Sequence, residues 1–316
     1  MTVPVRVDVE IGSPGWYAER RKGITASEIP IILGIAPWGS PFNLYWAKQG
    51  LDVEAPENEA MEWGHELEDV ILRKFAREHP ELHVTPGGLY RHGGNPRWMA
   101  TPDGIAYDTE NVVTMNDGVT RRAPSHVPVA VVQVKTAGSK EEWGDPGTDQ
   151  IPPYYVAQVR WEMHVMGVST AYVPVLFNGR TYREYVVEQD PVDVTLMVTE
   201  AEAFWQRIVD GDPPDVDWRP ATTLALKRLH PDVEDTEVEL PADLIRQWQA
   251  ADEQIREAKR AKDEAENRIR NLLGKAARGT VNGRKVVTRS VYDVRERVMP
   301  ATTVNRLTIT RKDLGA

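Results

Sequence analysis

Apolar and polar positions along the chain follow two periods, one typical of helices and one typical of strands. In residues 57–78, Leu67, Ile71 and Phe75 recur at helical spacing, with acidic residues early and basic residues late. This pattern predicts an amphipathic helix whose charges suit the helix dipole. Residues 127–136, VPVAVVQVKT, instead form an apolar run that ends in polar residues. Such a run predicts a buried central strand that ends near a surface.

Prolines, glycines and an asparagine mark where further elements begin and end. The Pro152-Pro153 pair predicts the start of a helix, and Gly167 predicts its end. The Asn178-Gly179 pair lies between two strand-like runs and predicts a β-hairpin. Another helix is predicted to end at Gly211, which two prolines follow closely.

These patterns divide the chain into four regions. In residues 1–218 helical and strand patterns alternate without an internal repeat, which predicts one mixed α/β (α+β) domain. Residues 219–240 are interpreted as a linker. In residues 241–275 apolar positions step by three and four, which predicts a long coiled-coil-like helix that packs on its own domain or on a second chain. Residues 276–316 predict a basic β-hairpin and tail.

Composition narrows the class of protein. The chain of 316 residues is 41% hydrophobic, enough for a substantial core. It contains no cysteine, which excludes disulfides, thiolate zinc sites and a cysteine nucleophile. It shows neither a signal peptide nor a long apolar span, so we expect a protein of the cytoplasm without membrane contact.

Charge is distributed unevenly. The net charge is -10, but the segment from Arg268 to the end holds 12 Lys and Arg residues against three acids, which is +9 and leaves about -19 on the rest. A basic arm beside an acidic body fits binding to a polyanion, and a solvated basic tail fits the same numbers.

Four polar residues suggest phosphodiester chemistry when they are taken together. Glu68 lies on the first predicted helix, Asp103 in a Pro-Asp-Gly turn, and Gln133 and Lys135 at the end of the apolar strand. Residues two apart on a strand face the same side, so Gln133 and Lys135 should face one pocket. Singly, each has an ordinary explanation as a turn, a solvated helix face or a strand end.

Six segments, which follow one another in the same order as in the family, resemble YqaJ-like viral recombinases. This group contains phage lambda exonuclease and belongs to the PD-(D/E)XK nuclease superfamily. The resemblance spans about residues 16–214. It implies a restriction-endonuclease-like core with a central mixed β-sheet flanked by helices. In chain order, the segments are WYAERRKGITASEIPIILGIAPWGSP, WGHELED, ATPDGI, VVQVKT, PPYYVAQVRWEMHVMG and AFWQRIVDGDPP.

The resemblance also implies a metal site. Glu68 matches the helix acid, Asp103 the central metal-binding aspartate, and Lys135 the lysine that polarises the attacking water. Gln133 stands where the family usually has glutamate, and the carbonyl of Val134 is a further implied ligand. The implied cofactor is Mg²⁺, for which Mn²⁺ can substitute. Glutamine keeps a ligating oxygen but lacks the charge, so we expect weaker binding of one metal ion.

Four other matched residues are implied to contact the nucleic acid. Arg20 and Ser27 match a pair that grips a terminal phosphate, and Tyr155 and Gln158 match a Tyr-x-x-Gln pair that positions substrate. The resemblance therefore implies a Mg²⁺-dependent enzyme that resects double-stranded DNA ends, 5′ to 3′, for phage recombination in a bacterial host.

Several alternatives stay open at this stage. Gln133 also fits a catalytically weak or inactive DNA-binding relative of the nuclease fold, and the superfamily includes endonucleases. The resemblance implies a single-strand annealing protein as a partner. The apolar seam of the predicted long helix, residues 241–275, allows a homo-oligomer.

Overall fold

The computed structural model describes residues 3–51, 59–109, 111–114, 120–123 and 127–293. The chain forms two compact units, residues 1–231 and residues 232–316. The first unit contains every candidate residue named above.

Helices of the first unit begin where the sequence supplies prolines. Among the residues that the structure describes, five of the seven α-helices of this unit start with a proline, whose missing N–H costs nothing at a helix start. The predicted ends at Gly167 and Gly211 are confirmed, and both glycines have positive φ. The helices are α1 (Pro14–Arg20), α2 (Ile29–Ile32), α3 (Pro41–Lys48), α4 (Glu59–Glu78), α5 (Pro153–Met166), α6 (Pro191–Asp210) and α7 (Pro220–Leu229).

The strands of the first unit form one central sheet and smaller ones. The strands are β1 (Val5–Arg6), β2 (Ile24–Thr25), β3 (Leu82–Pro86), β4 (Tyr90–His92), β5 (Asn95–Ala100), β6 (Gly104–Asp108), β7 (Asn111–Thr114), β8 (Thr120–Ala123), β9 (Pro128–Val132), β10 (Lys135–Ala137), β11 (Thr170–Phe177) and β12 (Thr181–Glu188). A peripheral sheet has the order β1-β4-β5-β2, and β7 pairs with β8.

The central sheet is mixed. Strand β6 pairs antiparallel with β3 and with β9, while β9 and β10 both run parallel to β11. Strand β12 pairs antiparallel with β11 through the predicted hairpin, where Asn178 and Gly179 both have positive φ. The parallel connection from β10 to β11 runs through α5, as such connections require.

Helices cover both faces of this sheet. On one face Ile71 and Phe75 of α4 pack against Val132 of β9. On the other, Val159 of α5 packs in a cluster with Val131 of β9. The predicted fold class, a mixed α/β unit with a central sheet between helices, is therefore confirmed.

The predicted strand 127–136 is interrupted, which corrects the sequence expectation. Val132 pairs with Tyr172 and Lys135 with Val175, so the register continues across the break, but Gln133 and Val134 are not in a strand. The cause lies in β11, because Pro174 has no N–H to donate to this part of the ladder. At the break the Gln133 N–H still donates to the Tyr172 carbonyl, while the Val134 N–H donates to a side chain, that of Asp103.

Helix α7 lies within the segment that the sequence predicts to be a linker. Ala225 is fully buried and packs with Phe42 of α3. The Thr222 hydroxyl, also buried, donates a hydrogen bond to the Ser40 hydroxyl at 2.7 Å. These contacts tie α7 to the first unit, so its structure continues past residue 218.

The second unit contains a long helix and a hairpin. Helix α8 (Ala242–Leu273) has no buried residue, and its apolar seam includes Ile255, which is 67% exposed. Strands β13 (Arg278–Val281) and β14 (Arg284–Thr288) pair antiparallel. Residues 294–316, which belong to the predicted basic tail, lie outside the described residues. Across the described chain, every helix is too short or too polar to cross a membrane.

Candidate active site

One cleft of about 640 Å³ is lined by all nine candidate residues. It opens where the broken strand meets the start of β6, between α4 and α5. Five chain segments supply the candidate residues on its walls, so segments distant in the sequence converge, as the sequence interpretation requires. The candidates on its walls are Arg20, Ser27, Glu68, Asp103, Gln133, Val134, Lys135, Tyr155 and Gln158.

Asp103 lies in the turn that enters β6. Its Oδ2 accepts a hydrogen bond from the Val134 N–H at 2.7 Å, so the carboxylate is fixed against the strand break. The Gly87 N–H donates to the Asp103 carbonyl at 3.0 Å. A Cβ at Gly87 would come within 1.7 Å of the Pro102 carbonyl oxygen, so only glycine permits this approach. The turn is thus held from both sides.

Glu68 reaches the cleft from one face of α4. Met61, His65 and Glu68, which lie three or four residues apart and therefore on one helix face, line the cleft together. The neighbouring acids Glu62 and Glu66 are exposed and do not line it. Helix geometry thus selects one acid from a charged segment.

Lys135 projects along an aromatic wall. Its Nζ lies 4.9 Å from the centre of the Tyr155 ring, a cation–π contact that orients the ammonium group. Tyr155 in turn packs against Trp143 at 5.8 Å between ring centres and stacks on Trp38 at 6.3 Å. Trp38 is 47% exposed and lines the cleft, and sequence reasoning did not single it out.

Arg20 and Ser27 lie together at another part of the cleft. The Arg20 guanidinium donates to the Ser27 hydroxyl at 3.1 Å and lies 4.2 Å from the centre of the Trp16 ring. A buried lysine supports the pair, since Lys48 donates to the Arg20 carbonyl and pairs with Glu28, both at 2.8 Å. Two donors held in this way can bind a phosphate.

Burial and mutual repulsion disfavour the charged forms of the acids. Burial, and secondarily the charge of Glu68, raises the pKa of Asp103 to about 7. The nearby Lys135 charge and the Val134 hydrogen bond oppose this rise. Burial also raises the pKa of Glu68, against the opposing charges of His65 and Lys135. A cation placed between the acids would reverse both effects.

This electrostatic arrangement predicts that Asp103→Asn stabilises the metal-free protein most at high pH. Because the pKa of Asp103 rises from 3.8 to about 7 on folding, the folded state holds an extra proton between these values. The folded state therefore loses stability as pH rises through that range. We expect the advantage of the variant to grow by on the order of 2 kcal/mol between about pH 5 and pH 8. Urea denaturation in EDTA measures the free energy of unfolding of both proteins at each pH. A difference between them that does not change with pH would contradict the prediction.

The donor set suits Mg²⁺ once the neutral oxygens are included. In the described part of the chain, no three or more His, Cys, Asp or Glu side chains are arranged to hold a metal ion. Glu68 and Asp103 supply two carboxylates, and the Val134 carbonyl and Gln133 amide are hard oxygen donors of the kind Mg²⁺ prefers. The Gln133 side chain is buried beside Asp103, and its Oε1 has no hydrogen-bond partner among the described residues.

Glu162 is an acid that sequence reasoning missed. It is fully buried on α5, and its Oε1 accepts a hydrogen bond from Gln158 Nε2 at 2.9 Å. Burial, and secondarily the charge of Asp103, raises the pKa of Glu162 to about 8. The spacing of four residues from Gln158, which places both side chains on one helix face, was the available signal.

Comparisons with known proteins agree with the sequence resemblance. Residues 15–170 match the model of the YqaJ-like viral recombinase domain. An uncharacterized protein YqaJ of Bacillus subtilis (strain 168) is 27% identical over 280 residues, which cover 86% of this chain and 82% of that protein. An alkaline exonuclease from Laribacter hongkongensis aligns at a TM-score of 0.49 and 20% identity, over 63% of this chain and 94% of that one. A phage-related exonuclease from Haemophilus somnus aligns at a TM-score of 0.39 and 12% identity, over 60% of this chain and 96% of that one.

Proposed function

We propose that the protein is a Mg²⁺-dependent deoxyribonuclease, because residues 15–170 match the YqaJ-like viral recombinase domain and their candidate acids meet in one cleft. One observation carries the proposal. Asp103, Gln133 and Lys135 meet Glu68 at a break in the central sheet, and the same cleft holds two donors for phosphate. Mn²⁺ should substitute for Mg²⁺, since both prefer oxygen ligands.

Each residue has a definite task in this chemistry. Bound Mg²⁺ would neutralise phosphate charge and lower the pKa of a water molecule. Glu68, Asp103, Gln133 and the Val134 carbonyl would hold the ion. The Lys135 ammonium, oriented on the Tyr155 ring, stabilises the charge that develops on the phosphate.

The terminal-phosphate interpretation of Arg20 and Ser27 supports an exonuclease. A site that binds a terminal phosphate favours chain ends over internal positions, and the resemblance supports a 5′-to-3′ direction. The Gln158 and Tyr155 side chains would position the strand, and exposed Trp38 offers a face for stacking on a base. The proposed substrate is therefore a double-stranded DNA end.

We predict that Arg20→Gln reduces the preference for phosphorylated ends. Loss of a charged donor should slow cleavage of 5′-phosphorylated duplex by roughly tenfold or more. Cleavage of duplex with a 5′-hydroxyl should change less, because that end lacks the charge. Initial rates on the two substrates measure the ratio. The adjacent exposed Arg21 provides a matched Arg21→Gln control, and equal slowing on both ends would contradict the assignment.

End-labelled DNA tests the proposed activity directly. We expect linear duplex to release a 5′ label first and a covalently closed circle to stay intact in Mg²⁺. Early release of a 3′ label would contradict the direction, and cutting of the circle would favour an endonuclease.

Gln133 favours a second candidate, a nuclease-fold protein that binds DNA without cutting it. Binding that falls steeply with salt, without metal-dependent cleavage, would support this function.

The proposed setting is the cytoplasm of a bacterial host, with a single-strand annealing protein as partner. The exposed apolar seam of α8 is compatible with a homo-oligomer.

A further inference from the structure

Glu162 occupies an unusual position for a charged residue. Its side chain has no exposed surface, yet it lines a cavity of about 330 Å³ together with Asp103, Gln133 and Gln158. One carboxylate oxygen is hydrogen-bonded to Gln158, while Oε2 has no partner among the described residues. A buried carboxylate without full pairing is costly to folding. A functional reason is therefore required.

A second unpartnered oxygen lies on the wall of the same cavity. Gln133 is 5% exposed, and its Oε1 lacks a hydrogen-bond partner within the described chain. In proteins most buried polar atoms are paired, so buried oxygens that converge on one cavity without partners point to a bound cation or ordered water. Thr101 also lines this cavity, and its Oγ1 lacks a partner among the described residues as well. Three such oxygens beside Asp103 indicate a positive ligand.

We propose that Glu162 supplies the third negative charge of the metal site, replacing the charge that Gln133 lacks. The proposal rests on the proposed Mg²⁺-dependent function and deepens it. Mg²⁺ retains several waters when it binds to proteins. No three acidic side chains of the described residues are arranged to hold one ion together, so Glu162 would act through a bound water. Gln158 then has a second task, since its N–H holds the carboxylate in place.

Relocating the charge tests this assignment. Mg²⁺ binding is measured by titration calorimetry, without DNA, on the full chain at pH 8. The variants are Glu162→Gln and the double variant Glu162→Gln with Gln133→Glu. Glu202→Gln is a matched control, because Glu202 accepts a hydrogen bond from the Trp98 indole at 2.9 Å and lines neither the cleft nor the cavity that Glu162 lines. Thermal unfolding in EDTA checks that each variant folds.

We expect Glu162→Gln to weaken Mg²⁺ binding by roughly tenfold or more. The double variant should return to within about threefold of the wild type, and Glu202→Gln should not differ. Wild-type affinity in folded Glu162→Gln would overturn the proposal, as would a folded double variant that stays weak. If Asp103→Ala abolishes binding while Glu162→Gln does not, the proposed function stands and this assignment fails. If the wild type binds no Mg²⁺, both fail.

Discussion

Replacing Asp103 with alanine should reduce DNA cleavage by roughly a thousandfold or more. Asp103 is the acid on which the site is built, since it accepts the Val134 N–H at the strand break and lies beside both other acids. Its loss removes a metal-binding charge and releases the backbone that presents Gln133 and Val134. Single-turnover rates on linear duplex at saturating Mg²⁺ measure the effect.

A nearby aspartate provides the control for this experiment. Asp69 follows Glu68 on α4, but its side chain is 68% exposed and pairs with Arg73 outside the cleft. We expect Asp69→Ala to change the rate by less than about twofold. A folded Asp103→Ala protein that still cleaves at a comparable rate would refute the assigned site.

Replacing Lys135 with methionine should lower the rate of the chemical step by roughly 10²- to 10³-fold. Methionine keeps the apolar stem along Tyr155 but removes the charge that stabilises the transition state. Mg²⁺ binding should survive, because Lys135 is a cation and cannot be a ligand. The loss of rate should therefore appear in single-turnover kinetics and not in metal affinity.

The matched control for Lys135 lies on the following loop. Lys140 also sits over an aromatic ring, that of Phe177 at 5.6 Å, but it does not line the cleft. We expect Lys140→Met to cleave at nearly the wild-type rate. Equal losses in the two lysine variants would mean that only the general positive charge matters.

Local signals explain why much of the fold could be predicted. The Asn178-Gly179 hairpin and the ends of α5 depend on residues next to one another in the chain, and both are confirmed. The break between β9 and β10 could not be predicted from neighbouring residues in the same way. It depends on Pro174, which reaches Gln133 and Val134 only through the register of the parallel pair.

The site could be predicted only in part from the sequence, for a related reason. Asp103 and Lys135 belong to short motifs, so their positions followed from order along the chain. Glu162 lies between Trp161 and Met163, both fully buried, and its neighbours predict a core helix. Only the packing of α5 against the sheet brings its carboxylate to Asp103. Contacts between distant segments carry information that the local pattern lacks.

We infer that a site with glutamine at position 133 is catalytically competent. The most direct measurement is the loss of linear duplex DNA in Mg²⁺ and in EDTA, for the wild type and for Gln133→Glu. We predict metal-dependent degradation by the wild type, with Gln133→Glu active as well and requiring less Mg²⁺. A wild-type protein that is inert while Gln133→Glu cuts would contradict the claim and identify a nuclease fold that holds DNA without cleaving it.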